Sequence, residues 1–148
     1  MRLRNKVALV TGAASGFGAE IARLFAAEGA FVAVVDINEE GARSVSTKIG
    51  NAASPIRCDV AVGPDVRNAV ETTRKIFGRL DIVVNNAGTT HRNKPMLEVT
   101  EAEFDKIYAV NVKSIFHMAL AAVPAMRAQG SGGKFYGHGL GQQVHGAF

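Results

Sequence analysis

The chain has 148 residues, 47% apolar and 20% charged, with 16 glycines, one cysteine and no tryptophan. That length accommodates one domain, the apolar share excludes disorder, and a lone Cys58 excludes an internal disulfide scaffold. The formal charge of +4 comes from scattered residues, with one small cluster at Arg2, Arg4 and Lys6, which argues against a nucleic-acid partner.

Two hydrophobic periods alternate along the chain. Residues 6–11 form an apolar run ending at a glycine, the pattern of a buried strand. Phe17, Ile21, Leu24 and Phe25 then recur at helical spacing until Gly29. Residues 31–35 read as a second strand ending at Asp36, and 39–49 as a helix closed by Gly50. Residues 55–58 form a short third strand. Residues 65–77 form a third helix, with Val66, Ala69, Val70, Thr73 and Phe77 on one face. A fourth strand over 80–84 runs into Asn85-Asn86-Ala87-Gly88, and a polar loop follows to about Leu97. Thr100 with Glu103 three residues on has the pattern of a capping box. Two helical stretches meet near Asn111, and the second reaches about Gln129 with an expected kink at Pro124, which lacks an N–H.

Strict alternation of strand and helix implies right-handed crossovers and a parallel sheet covered on both faces. The predicted fold is therefore α/β, a doubly wound, Rossmann-like sheet. It is expected to be incomplete, with about four to five strands. Residues 1–129 form the expected domain and 130–148 a divergent glycine-rich tail. Seven of the 19 tail residues are glycine, against nine of the preceding 129. Residues 133–136 are a weak strand candidate, and the rest of the tail is expected to be mobile or irregular. The longest apolar stretch, 115–126, contains His117 and Pro124 and falls short of the roughly 20 residues of a bilayer span. The N-terminal apolar run is too short for a secretory signal. With a lone thiol as well, a soluble cytoplasmic protein is expected.

The turn after the first strand reads Thr11-Gly12-Ala13-Ala14-Ser15-Gly16-Phe17-Gly18. Gly12 allows a sharp turn, Gly16 lets backbone approach a pyrophosphate, and Gly18 lets the helix pack close to the strand. The helix N-terminus offers N–H groups and partial positive charge to an anion, and Ser15 can add a hydroxyl. Asp36, 18 residues after Gly18, can accept both hydroxyls of an adenosine ribose and would repel a 2′-phosphate. Ile37 supplies no cation for that phosphate, so NAD is preferred over NADP. Asp36 could instead cap the following helix, a role also open to Asn38.

The spacing Thr-Gly-x-x-x-Gly-x-Gly resembles the short-chain dehydrogenase/reductase family. Further motifs stand in the family's order: Asp59-Val60 after the third strand, Asn86-Ala87-Gly88 after the fourth, and Asn111 between two helices. The resemblance covers residues 3–129. It implies that Asp59 and Val60 bind the adenine, that Asn86, Ala87 and Gly88 brace the sheet and pass the cofactor closely, and that Asn111 joins a catalytic proton relay. It implies hydride transfer between a nicotinamide and an alcohol or carbonyl carbon. It also implies a homo-oligomer, since members commonly associate through helices of this region.

The family's catalytic tyrosine with a lysine four residues later is not matched. Tyr108 is followed by Val112 and Tyr136 by Leu140, and Ser131 is not a secure match to the family's serine. An unassisted phenol, with a pKa of about 10, is a slow base at neutral pH. The chain is therefore expected to be inactive as written, through truncation or an altered reading frame near Gly130. A fourth strand left at the sheet edge and a less covered helix over 112–129 would favour self-association. A non-catalytic NAD-binding or self-associating module, and a structural fragment that binds nothing well, are the alternatives. No metal site is expected, because His91, His117, His138 and His145 lack ligand spacing with Cys58 or each other. Cys58 reads as a small buried hydrophobe.

Overall fold

A computed structural model describes residues 1–137 and the backbone of 143–144. The elements are β1 (Val7–Thr11), α1 (Gly16–Ala27), β2 (Phe31–Asp36), α2 (Glu39–Ile49), β3 (Ala53–Arg57), α3 (Gly63–Phe77), β4 (Ile82–Asn85), α4 (Glu101–Tyr108), α5 (Ser114–Ala128), β5 (Lys134–Gly137) and β6 (Gln143–Val144). A 3-10 turn, Met96–Glu98, precedes α4, and a π-turn, Ala109–Lys113, joins α4 to α5.

The strand order is β3-β2-β1-β4-β5-β6. The first five strands are parallel, and β6 returns antiparallel to β5. Because β1 is buried on both faces, it reads as an unbroken apolar run. Val10 lies in register with Val34 and Val84, and all three join the layer beneath α1 and α2 with Ala19, Ala22, Ala42 and Val45. Leu9, Val35 and Val83 form the opposite layer with Val66 and Val70 of α3 and Met118 and Ala122 of α5. The chain reaches β3 at one edge and then crosses to β4 beside β1. That reversal opens a crevice at the carboxyl ends of β1 and β4.

Two polar clamps hold the opposite end of the sheet. The buried Asp81 carboxylate accepts from the Val7 N–H (2.9 Å) and from Arg79 Nε (2.7 Å) and Nη2 (2.6 Å). The Gln129 carboxamide accepts from the Leu80 N–H (3.1 Å) and donates to the Leu80 carbonyl (2.7 Å). Together they fix β4 against β1 and set where the chain leaving α5 enters β5.

Several expectations are corrected. The fourth strand is not an edge, since β5 pairs with it from Ile82↔Lys134 to Asn85↔Gly137, and the Asn85 side-chain N–H donates to the Tyr136 carbonyl (3.0 Å). The weak strand candidate is thus a full member of the sheet, and a two-residue β6 lies beyond it. The glycine-rich segment is therefore not irregular throughout. The expectation of mobility at residues 138–142 and 145–148 falls outside the described residues. Helix α5 continues through Pro124, and a π-turn not expected from the sequence lies at Ala109–Lys113. The third and fourth strands are Ala53–Arg57 and Ile82–Asn85 rather than 55–58 and 80–84, and α3 begins at Gly63 rather than 65. Residues 101–128 make one 28-residue helical rod, apolar and long enough to cross a membrane by length and composition, although 115–126 alone was too short. One face of that rod packs on the sheet through Met118, Ala122 and Met126.

Candidate dinucleotide crevice

The glycine turn is built as its spacing requires. Gly12 and Gly16 have φ of 64° and 54°, in the left-handed region that side chains disfavour. A Cβ on Gly12 would sit 2.8 Å from Ala87 Cα, and one on Gly18 would overlap the Gly12 carbonyl oxygen. The space in front of Gly16 is open for 4 Å. Close packing therefore fixes Gly12 and Gly18, whereas Gly16 is kept bare toward the crevice. Phe17 stands out from the first turn of α1, 79% exposed.

Ser15 is extended and makes no side-chain capping bond to α1. The donors that helical geometry leaves unpaired in a first turn are thus not satisfied by a cap. No acidic residue stands in that turn, whereas α2, α3 and α4 each carry at least one in theirs. The N-terminus of α1 therefore keeps its positive end uncompensated.

Asp36 turns toward this loop. One carboxylate oxygen accepts from the Ala14 N–H (2.9 Å) and the other from the Asn38 N–H (2.9 Å). The cap of α2 is Asn38, whose side chain accepts from the Gly41 N–H (3.1 Å), so Asp36 is not needed for that role. Ile37 is exposed beside it and brings no cation.

Beyond β3, the Asp59 carboxylate accepts from the Ala61 N–H (2.9 Å), and the Asp59 N–H donates to Asp65 (3.2 Å). Val60, between them, is buried at the turn. The adjoining Cys58 is buried, and burial, followed by the Asp65 and Asp59 charges, pushes its thiol up to about 12. It is a poor nucleophile in this setting.

Asn86 laces the loops after β1 and β4 together. Its side-chain N–H groups donate to the carbonyls of Thr11 (3.0 Å) and Gly12 (3.1 Å). The Thr11 hydroxyl accepts from the backbone N–H groups of Asn86 and Ala87 (both 3.0 Å). Thr11 was not among the sequence candidates. Its signal was a threonine on the last strand position before the glycine turn, where a short hydroxyl reaches the neighbouring loop. Asn111 sits inside the π-turn. Its Oδ1 accepts from the Thr89 N–H (2.8 Å) and its Nδ2 donates to the Thr89 carbonyl (2.9 Å). A Cβ on Gly88 would lie 3.6 Å from that Oδ1.

The structure thus gathers Gly12–Gly18, Asp36, Asp59–Val60, Asn86–Gly88 and Asn111 along the carboxyl ends of β1 to β4. The two tyrosines lie on later elements. Tyr108 is on the outer face of α4, stacked on Phe104 with ring centroids 6.4 Å apart. Tyr136 lies in β5 in register with Val84.

Residues 6–134 match the model of the short chain dehydrogenase family. The chain is 50% identical to 4-formylbenzenesulfonate dehydrogenase of Comamonas testosteroni over 135 residues, 89% of this chain and 54% of that one. It is 43% identical to zerumbone synthase of Zingiber zerumbet, covering 86% of this chain and 50% of the relative. The crystal structure of 3-ketoacyl-(acyl-carrier-protein) reductase from Brucella melitensis complexed with NADH superposes with a TM-score of 0.84 at 42% identity. That match covers 86% of this chain and 53% of the other. The chain belongs to the short-chain dehydrogenase family. It spans about half the length of the curated relatives it matches.

Proposed function

We propose that this chain is the nucleotide-binding half of an NAD-dependent oxidoreductase, one that holds the dinucleotide but does not itself turn over an alcohol or carbonyl. The observation that carries the reading is the convergence of the uncapped α1 N-terminus and the Asp36 carboxylate on one glycine turn. The residues fit a dinucleotide. The bare approach at Gly16 and the α1 N–H groups suit a diphosphate, with the Ser15 hydroxyl as an added donor. The Asp36 carboxylate suits the adenosine ribose, and its charge with Ile37 beside it favours NAD over NADP. Asp59 and the Val60 backbone suit the adenine, and Asn86, Ala87 and Gly88 line the path toward the nicotinamide.

A bound nicotinamide would supply or accept the hydride. A residue must also move a proton at the substrate oxygen, and among these 148 residues no tyrosine has a lysine four positions on. That sequence fact supports the reading of inactivity. Asn111, which belongs to the family's relay, here holds the loop at Thr89.

Self-association is the second part of the reading. Phe104, Tyr108, Val112, Phe116 and Leu120 form a row along the helical rod, 41–61% exposed. A row of large apolar side chains on one rod supports a homo-oligomer. A cytoplasmic setting is proposed with it, on the strength of the single unpaired thiol.

The test is titration with NADH followed by its fluorescence. A turnover assay over a panel of alcohols and ketones accompanies it. Saturable binding, tighter for NADH than for NADPH and without turnover, is expected. Absence of binding overturns the dinucleotide reading, and sustained turnover overturns the reading of inactivity.

A further inference from the structure

In a parallel sheet with helical crossovers, the strands all begin, and the helices between them all end, on one face of the molecule. Charges far apart in sequence meet there. Arg4 precedes β1 and Lys134 opens β5, while Lys48 lies in the last turn of α2 and Arg74 and Lys75 in the last turn of α3. All five are exposed, and none is in an ion pair among the described residues. We propose that this face, at the end of the sheet opposite the crevice, docks on the surface of an anionic lipid bilayer.

The acids do not offset these cations. Among the described residues, Glu28 and Asp81 stand at the amino end of the sheet, and both are engaged. Glu28 accepts from the Arg2 N–H (2.7 Å) and pairs with the Met1 amino group (3.7 Å), and the buried Asp81 is held by Arg79 and Val7. Glu71, about one turn before Arg74 and Lys75 in α3, is in no ion pair with either. Asp36, Glu39, Asp59, Asp65 and Glu103 lie at the carboxyl end instead. Cations at helix carboxyl ends complement the helix dipole, which bears on Lys48, Arg74 and Lys75. Arg4 and Lys134 stand outside the helices and extend the field beyond that role.

Two apolar side chains stand on the same face. Phe31 and Ile76 are 42% and 49% exposed. Phe31 opens β2 and stacks on Phe77 in the last turn of α3, with ring centroids 5.7 Å apart. The Leu3 N–H donates to the Glu28 carbonyl (3.0 Å) and the Asn5 N–H to the Gly29 carbonyl (3.2 Å), which pins the segment carrying Arg4 to this end. Exposed apolar tips within a basic field suit a bilayer interface, where anionic headgroups meet the cations and the acyl boundary receives the tips. A nucleic acid rewards the cations through its phosphates but leaves Ile76 without a complement. Because the crevice opens at the other end of the sheet, a docked chain keeps it accessible.

The experiment is flotation with vesicles of phosphatidylserine in phosphatidylcholine, against vesicles of phosphatidylcholine alone. The proteins are the wild type, Arg4→Gln, the double variant Arg74→Gln/Lys75→Gln, Ile76→Ser, and Lys106→Gln in α4 as a control away from this face. Far-UV circular dichroism identifies the variants that fold. The wild type is expected to float with the phosphatidylserine vesicles, not with phosphatidylcholine alone, and to be released as salt rises. Arg4→Gln should weaken partitioning about fivefold and the double variant roughly 25-fold, each lost cation acting near the surface. Ile76→Ser should weaken it without changing the salt dependence, and Lys106→Gln should leave it unchanged. A wild type that stays off phosphatidylserine vesicles at low salt overturns the proposal. So does wild-type partitioning in both folded charge variants, or a loss in Lys106→Gln equal to that in Arg4→Gln. Retention by duplex DNA without retention by vesicles assigns the face to nucleic acid and overturns it as well.

Discussion

At the scale of single residues, the crevice is defined by what is left out. Gly18 has no Cβ because the Gly12 carbonyl and the Asn86 side chain occupy that space. Gly18→Ala should therefore push α1 away from β1 and remove the diphosphate donors from register. The expected outcome is a loss of about 1–3 kcal/mol of stability in urea unfolding, with NADH binding lost in the same preparation. Retained NADH affinity would show that the helix N-terminus does not hold the diphosphate. Asp36 illustrates how a residue's type and its orientation differ in legibility. The carboxylate and its distance from the glycines were visible in the sequence. Its turn toward Ala14 rather than toward the α2 N-terminus was not, because Asn38 was an equally suitable cap until the structure placed it on Gly41. The role of Thr11 was hidden for a related reason: its hydroxyl serves residues 75 and 76 positions away.

Among elements, the periods were legible and the joints less so. Strands buried on both faces read as short unbroken apolar runs, and helices with one apolar stripe follow from a period of 3.6. The capping box at Thr100 and Glu103 forms as its spacing predicts, with each partner bonding the other's backbone. It also recruits Lys94 from the loop before it, through a 2.6 Å ion pair to Glu103. That ion pair, followed by the Thr100 backbone bond, lowers the Glu103 carboxyl from its ordinary value of 4.5 to about 2. A carboxyl depressed in the folded state contributes stability above its ordinary value, and that contribution is lost as pH falls toward the depressed value. Wild-type stability should therefore decline between pH 4.5 and about 2 more steeply than that of Glu103→Gln, in parallel acid titrations read by circular dichroism. Equal slopes would show that the Lys94–Glu103 strap does not persist in solution. A kink was expected at Pro124, and the helix assignment runs through it, while the π-turn that holds Asn111 was not legible in the sequence. Proline is a local signal that tertiary packing can override. The π-turn carries Asn111, whose side chain bonds the distant loop at Thr89.

For the whole molecule, β5 changes the edge problem. The ladder that would have been exposed on β4 is paired through Asn85. The large exposed apolar surface is instead the helical rod, from Phe104 to Leu120. Association on that surface, as proposed above, would make stability depend on mass action. The midpoint of thermal unfolding should rise with protein concentration, and it should rise again with NADH. A hundredfold excess of ligand over its dissociation constant adds about 2.7 kcal/mol. A midpoint unchanged by protein concentration would argue that the rod stays uncovered in solution.

By itself the sequence determined the order of strands and helices, the glycine turn and its family, and the residue types of the crevice. These are local properties, set by side-chain period, by backbone freedom and by the number of positions between motifs. Only the tertiary structure decided that residues 134–137 complete a fifth parallel strand, that Asp36 faces the turn, and that Thr11 joins Asn86. It also decided that Asn111 holds Thr89 from within a π-turn. Each of these depends on groups brought together from distant parts of the chain, and packing, which acts through space, sets them where spacing along the chain does not.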